Sequence, residues 1–311
     1  MSESNLKGVV VPIVTPLPPQ ESVDVTSLRR LVNYLIDNGV HGIWAAGTTG
    51  EFAALRDDQR LLVIETVVNE ARGRIPVVGN VSAAGTRTAI EIASALRQSG
   101  VDGIAATPPY YYHYSQEELL NHYRSIHKAS SIPLWVYNIP STAKLTVEAG
   151  TIAQLAAEGT VVGIKDSSGA GEDLAQLVVL CRQRGIQMCR LLGSIYRVAM
   201  TRSIGAHGVV PGIANLAAAS MSRAWEAADS GDEQTADGYF SEVSALLKVL
   251  RLTQAGAVHS STISGLKSAL KIMGIIDHDS VTQPLRSLSQ EEKDQIPPLL
   301  QAAGLAHTVS G

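Results

Sequence analysis

Val161 to Ile164 are four uncharged, mostly branched residues that run straight into Lys165, and a polar turn, Asp166-Ser167-Ser168-Gly169, follows. Such a run reads as a buried parallel strand that delivers its last residue to the edge of a sheet. A lysine is unusual there, because a buried ammonium is costly unless it is paired or gives up its proton. Once neutral, an amine beside a cleft attacks a carbonyl carbon and forms a Schiff base. The local sequence supports a structural role equally well, with Lys165 snorkelling to solvent or pairing with Asp166.

Other stretches could supply the rest of such a site. Gly47-Thr48-Thr49-Gly50-Glu51 puts two hydroxyls among glycines, a composition suited to cradling a carboxylate through side-chain O–H and backbone N–H groups. An ordinary glycine-rich turn with Thr49 capping a helix is the structural alternative. Tyr110, Tyr111, Tyr112 and Tyr114 bring four of the nine tyrosines into five positions. That clustering suggests a site wall or a subunit contact, although for any single one simple packing fits as well. Tyr137, in Tyr137-Asn138-Ile139-Pro140, ends another apolar run, where a phenol either relays protons to an imine or packs as a core residue. The eight histidines form no HxH or HExxH pair, and His207, at the start of a strand, reads as structural. No metal site is expected, and neither GxSxG nor a P-loop is present.

The elements that would position these residues alternate regularly. Apolar runs predict strands at Gly8–Ile13, His41–Ala46, Ile75–Val81, Val101–Ala106, Leu134–Tyr137, Val161–Lys165, Cys189–Gly193 and His207–Val210. Helical periodicity fills the intervals. Leu28, Leu31, Val32, Leu35 and Ile36 share one face with Asp24 placed to cap it, and Leu174, Leu177, Val178 and Cys181 repeat the pattern. Ser115-Gln116-Glu117-Glu118 is a capping box. Eight such units without a break in composition predict a closed (β/α)8 barrel, with the site at the C-terminal ends of its strands. A dinucleotide-binding sheet would want GxGxxG after the first strand, where Thr15-Pro16-Leu17-Pro18-Pro19 stands instead. The barrel is expected over residues 1–228. Residues 229–311 carry only helical patterns: Tyr239, Val243, Leu246 and Leu250 on one face, and Ile263, Leu266, Leu270 and Met273 on another. A further capping box, Ser289-Gln290-Glu291-Glu292, opens a last helix that Pro297-Pro298 must bend or break. This region is expected to pack on the barrel.

Composition narrows the function. The 311 residues are 45% hydrophobic and 17% charged, with a net charge of −4, the profile of a packed globule without a footprint for nucleic acid or anionic membrane. No apolar run is long enough for a membrane span, and Met1 to Lys7 lack a signal-peptide core. Cys181 and Cys189 are the two cysteines, too few and wrongly spaced for a disulfide framework. A cytoplasmic location is expected.

Taken together, Gly47-Thr48-Thr49-Gly50-Glu51, Tyr137-Asn138-Ile139-Pro140 and Gly163-Ile164-Lys165-Asp166 resemble, in order and over nearly the whole chain, the dihydrodipicolinate synthase / N-acetylneuraminate lyase family. The resemblance implies a class I mechanism on pyruvate, or on a 2-keto acid that yields it, with no cofactor beyond the imine formed on Lys165. It further implies that Tyr137 transfers protons, that Thr48 links Tyr137 to a second tyrosine, and that Thr48 and Thr49, in the turn opened by Gly47, hold the pyruvate carboxylate. The second tyrosine reaches the neighbouring subunit's site in this family. Counting back from Ser115 places it at Tyr111, with Tyr110 the alternative if the register slips by one. The backbone of Val210 would face the lysine, and a homotetramer built from tight dimers is implied.

Two departures bear on the substrate. Dihydrodipicolinate synthases usually follow the tyrosine motif with an arginine for the carboxylate of aspartate semialdehyde. Thr142 stands there, with Lys144 two residues on, and a threonine cannot supply a bidentate cation. Sialic acid lyases carry an acidic pair after strand 7, where this chain has Ile195 and Tyr196. Ser167 and Ser168 offer hydroxyls suited to shorter keto-deoxy sugar acids or to aldols with apolar tails. The expectation is therefore a Schiff-base lyase or aldolase on a 2-keto-3-deoxy acid. Its alternatives are 4-hydroxy-tetrahydrodipicolinate synthase, a dehydratase or hydratase-aldolase of the same family, and a barrel that binds a keto acid without catalysis. A phosphate-binding barrel is disfavoured, since no glycine-rich pair precedes a helix near Gly193 or Gly212.

Overall fold

The computed structural model describes residues 6–169, 172–193, 198–199, 201–253 and 258–305. Its strands are β1 (Gly8–Pro12), β2 (Gly42–Ala45), β3 (Val77–Asn80), β4 (Gly103–Ala106), β5 (Leu134–Asn138), β6 (Gly163–Asp166), β7 (Cys189–Leu192) and β8 (Gly208–Val209). They pair in parallel with their sequence neighbours, and β1 closes on β8, so the sheet is a complete barrel. The eight predicted strands all form, most of them shorter than the apolar runs that announced them. The fold is the (β/α)8 barrel.

Alternation along the strands separates two cores. Inward-facing Val10, Trp44, Val78, Ala105, Trp135, Tyr137 and Leu191 fill the barrel, and the other face of each strand joins the helices in a larger apolar layer. The interior packs around two indoles. Trp44 meets Trp135 and Tyr137 edge-on, at centroid distances of 6.2 and 5.7 Å, a favoured aromatic geometry. Space for Trp135 comes from Gly163 on the next strand, where a Cβ would sit 2.4 Å from the indole. The tyrosine and lysine of interest thus rise from a close-packed floor.

The expected caps form. Asp24 accepts the Ser27 backbone N–H at the start of the helix Val25–Asp37, and the Ser115 capping box opens the helix Gln116–Ser130. Leu174, Leu177 and Cys181 are buried on the helix Glu172–Arg184. In the C-terminal region the helix Glu233–Glu242 gives way to a 3-10 segment, Ser244–Arg251, which buries Leu246 and Val249. A long helix, Val258–Ile272, follows. The Ser289 capping box starts only a short helix, Gln290–Lys293, and the chain restarts at Ile296 with its prolines in the first turn. Proline is tolerated there because first-turn N–H groups have no intrahelical partner. Val243, Leu246, Leu266 and Leu270 belong to the same apolar layer as the barrel helices.

Candidate active site

Neighbouring strand ends bring the lysine and tyrosine together. In the β5–β6 register Tyr137 lies opposite Lys165 and Asn138 opposite Asp166, so alternation sends the first pair inward and the second outward. The Asp166 carboxylate accepts from Asn138 Nδ2 at 3.3 Å and from Ser168 Oγ at 3.0 Å. Burial raises its pKa, and these hydrogen bonds oppose that rise. The alternative in which Lys165 pairs with Asp166 is thereby corrected. Lys165 is 4% exposed and forms no ion pair among the described residues. Its Nζ lies 3.9 Å from the Tyr137 ring centroid and 5.2 Å from that of Trp44. An amine held against two aromatic faces, away from carboxylates, is positioned as a nucleophile rather than as half of a salt bridge.

The Tyr137 hydroxyl shares a hydrogen bond of 3.0 Å with Thr48 Oγ1. Thr48 follows β2 in the glycine-rich turn. Gly47 packs tightly there, since a Cβ would sit 3.0 Å from the Trp44 indole. Thr49 is not a helix cap, because the next helix, Asp57–Ala71, is capped by Arg56. Its hydroxyl makes no hydrogen bond to the described residues and is half-buried beside Thr48. Two non-glycine residues with positive φ, Ala46 at 51° and Glu51 at 63°, bracket the turn.

The remaining residues named from sequence divide. Val210 directly follows β8, donates its N–H to Leu192 O at 2.8 Å, and contributes its side chain to the barrel interior. Ser167 donates its N–H to Asn138 O at 2.7 Å, whereas the Ser168 hydroxyl is committed to Asp166. Thr142 lines a cavity of about 400 Å³ that also touches Thr48, and its hydroxyl donates to Ile139 O at 3.2 Å. Lys144 is exposed, its Nζ on Ser141 O at 2.9 Å. His207 accepts the Arg190 N–H at 3.0 Å, the structural role expected of it. Ile195 and Tyr196 lie outside the described residues.

The family model described as "Dihydrodipicolinate synthetase family" matches residues 5–303. The chain belongs to this family. It is a class I lyase of the Schiff-base type that characterises the family. A 4-hydroxy-tetrahydrodipicolinate synthase of Syntrophus aciditrophicus is 31% identical over 96% of this chain and 99% of its own. Among solved structures, dihydrodipicolinate synthase from Bacteroides thetaiotaomicron superposes with a TM-score of 0.89 at 30% identity, covering 97% of this chain and 99% of that one. The Acinetobacter baumannii synthase, solved with pyruvate, gives 0.86 at 31% identity over 96% and 99%.

In this dihydrodipicolinate synthetase family lyase the tyrosine cluster splits by environment. Tyr110 is half-buried, edge-on to Phe52 at 6.3 Å, and lines the cavity. Tyr111 is 87% exposed, with φ of +94°, a conformation costly for a residue with a Cβ.

Sequence reasoning missed the support behind the threonine turn. Glu51 is buried and forms an ion pair with Lys267 of the helix Val258–Ile272, both side chains being fully enclosed. Its other oxygen accepts from Thr282 N at 2.7 Å and Thr282 Oγ1 at 2.8 Å. Lys267 also donates to Ser280 O at 2.7 Å. Burial pulls the Lys267 ammonium below its usual pKa, and Glu51 opposes that pull. A sequence signal existed: Lys267 falls four residues after Ile263 and three before Leu270, on the apolar face.

Proposed function

We propose that this lyase makes or cleaves the carbon–carbon bond between pyruvate and an aldehyde, acting on a 2-keto-3-deoxy acid. The observation that carries the proposal is the chain of contacts from Lys165 Nζ over the Tyr137 ring to the Tyr137 hydroxyl and Thr48. Lys165 condenses with the keto carbon. The imine then draws electrons from the neighbouring carbon, where the bond to the aldehyde forms or breaks. Tyr137 moves protons on and off the reacting oxygen, in contact with Thr48. Thr48 and Thr49, with backbone N–H groups of the turn opened by Gly47, hold the pyruvate carboxylate. The Val210 backbone and Ser167 border the substrate. Tyr111, exposed and strained in a single chain, completes the relay in a neighbouring subunit, which calls for an assembly of tight dimers, a homotetramer in the cytoplasm. The chemistry needs no cofactor besides the lysine.

A second reading, 4-hydroxy-tetrahydrodipicolinate synthase, is favoured by the names of the curated relatives. It is opposed by Thr142, which offers no cation where the aspartate semialdehyde carboxylate would bind, and Lys144 is turned onto a backbone carbonyl.

Borohydride reduction in the presence of pyruvate tests the mechanism. A stable adduct on the peptide containing Lys165, absent from Lys165→Ala and Lys165→Arg, is the expected outcome of peptide mass analysis. An unmodified Lys165 in folded protein would reject the proposal.

A further inference from the structure

The cavity of about 400 Å³ beside Thr48 and Thr142 is of the size that takes a small organic ligand. It lies next to the reacting groups, since Thr48 is bonded to Tyr137. Much of its wall is carbon: Phe52, Ala54, Ala143, Ile263, Pro284 and Leu285. Among the described residues no lysine or arginine lines it. Its one carboxylate, Glu51, is bound on both oxygens by Lys267 and Thr282. Arg60 lies 5.3 Å from the Phe52 ring centroid, but its guanidinium is engaged by the carbonyls of Asn80 and Ser82 and by Asp57. His259 is the one basic side chain in the lining, so a second carboxylate entering this space would lose water and find no lysine or arginine to pair with, whereas an apolar group would gain by leaving water.

We infer that this cavity receives the uncharged, mainly apolar tail, aromatic or branched aliphatic, of the aldehyde that partners pyruvate. The inference rests on the Schiff-base proposal above and specifies its substrate. In the condensing direction the methyl carbon of lysine-bound pyruvate loses a proton and bonds to the aldehyde carbon. The aldehyde oxygen gains a proton and becomes a hydroxyl. Water then hydrolyses the imine, freeing Lys165 and a 4-hydroxy-2-oxo acid whose tail occupies the cavity. Cleavage is the reverse.

The test measures kcat/KM of the full chain for aldol formation from pyruvate with benzaldehyde, isobutyraldehyde, glyceraldehyde and succinic semialdehyde. Pyruvate trapping by borohydride is run alongside. Benzaldehyde or isobutyraldehyde is expected to exceed the other two by about 10-fold or more, the discrimination that apolar pocket contacts supply. Ala54→Phe and Ala143→Leu should lower the rate with benzaldehyde at least about 10-fold relative to that with acetaldehyde. Ala54 is exposed, so the first variant tests the cavity even where the second disturbs folding. Thr142→Arg should shift preference toward succinic semialdehyde. Trapping on Lys165 combined with a preference for succinic semialdehyde or glyceraldehyde, or with no turnover of the apolar aldehydes, overturns the cavity assignment alone. Absence of trapping overturns the Schiff-base proposal and this inference with it.

Discussion

Tyr137 serves through two parts of one side chain: its ring face lies against the Lys165 amine and its hydroxyl meets Thr48. Removing only the hydroxyl separates the two contributions. Tyr137→Phe is expected to keep the packing against Trp44 and to lower kcat about 10²–10⁴-fold, the range of a general acid–base group. Steady-state kinetics read beside a thermal melt checks this, since a packing defect would lower the melting temperature as well. Lys165, Tyr137 and Thr48 were legible in the sequence because each stands at or just past the end of an apolar run, where a barrel presents its site. The partner of Lys165 was not legible. Asp166 is its neighbour in sequence, yet strand alternation turns it to the other face, and the amine's real neighbours, Trp44 and Tyr137, come from two other strands.

The turn after β2 depends on an element far along the chain. Helix Val258–Ile272 supplies Lys267 to the buried Glu51, and the segment behind it supplies Thr282. Lys267→Met would strand the Glu51 carboxylate in the interior, an expected loss of about 3–5 kcal/mol. Adding Glu51→Gln should restore part of it, because the second change removes the orphaned charge. Urea denaturation of the two variants and the parent measures both effects. The helix was legible from its apolar spacing, and the lysine interrupting that spacing hinted at a buried partner. Which partner it would be was hidden, because no local pattern connects positions separated by more than two hundred residues. The end of the chain shows a similar limit: Pro297 and Pro298 signalled a break, and packing moved it to the preceding residues, leaving the prolines to open a helix.

At the scale of the molecule, the barrel was legible throughout, since eight apolar runs separated by amphipathic helices leave few other arrangements. Assembly is written less openly. Tyr111 is 87% exposed on a backbone with φ of +94°, its ring edge-on to Tyr112. If it completes the site of a neighbour, activity must depend on association. Lowering protein concentration until sedimentation shows monomers should cut kcat about 10²-fold or more, as expected when an acid–base group is withdrawn, and Tyr111→Phe should be comparably weak even when assembled. The Glu51 contacts carry a consequence for the order in which function arises. Thr282 reaches Glu51 across 231 positions, and chains emerge from the ribosome N-terminus first. A nascent chain that has already laid down all eight strands therefore carries Lys165 and Tyr137 but still lacks the Lys267 and Thr282 contacts that hold Glu51 behind the threonine turn. That support arrives only when the last helices dock, so the geometry of the turn is completed at the end of synthesis, after the barrel strands are in place.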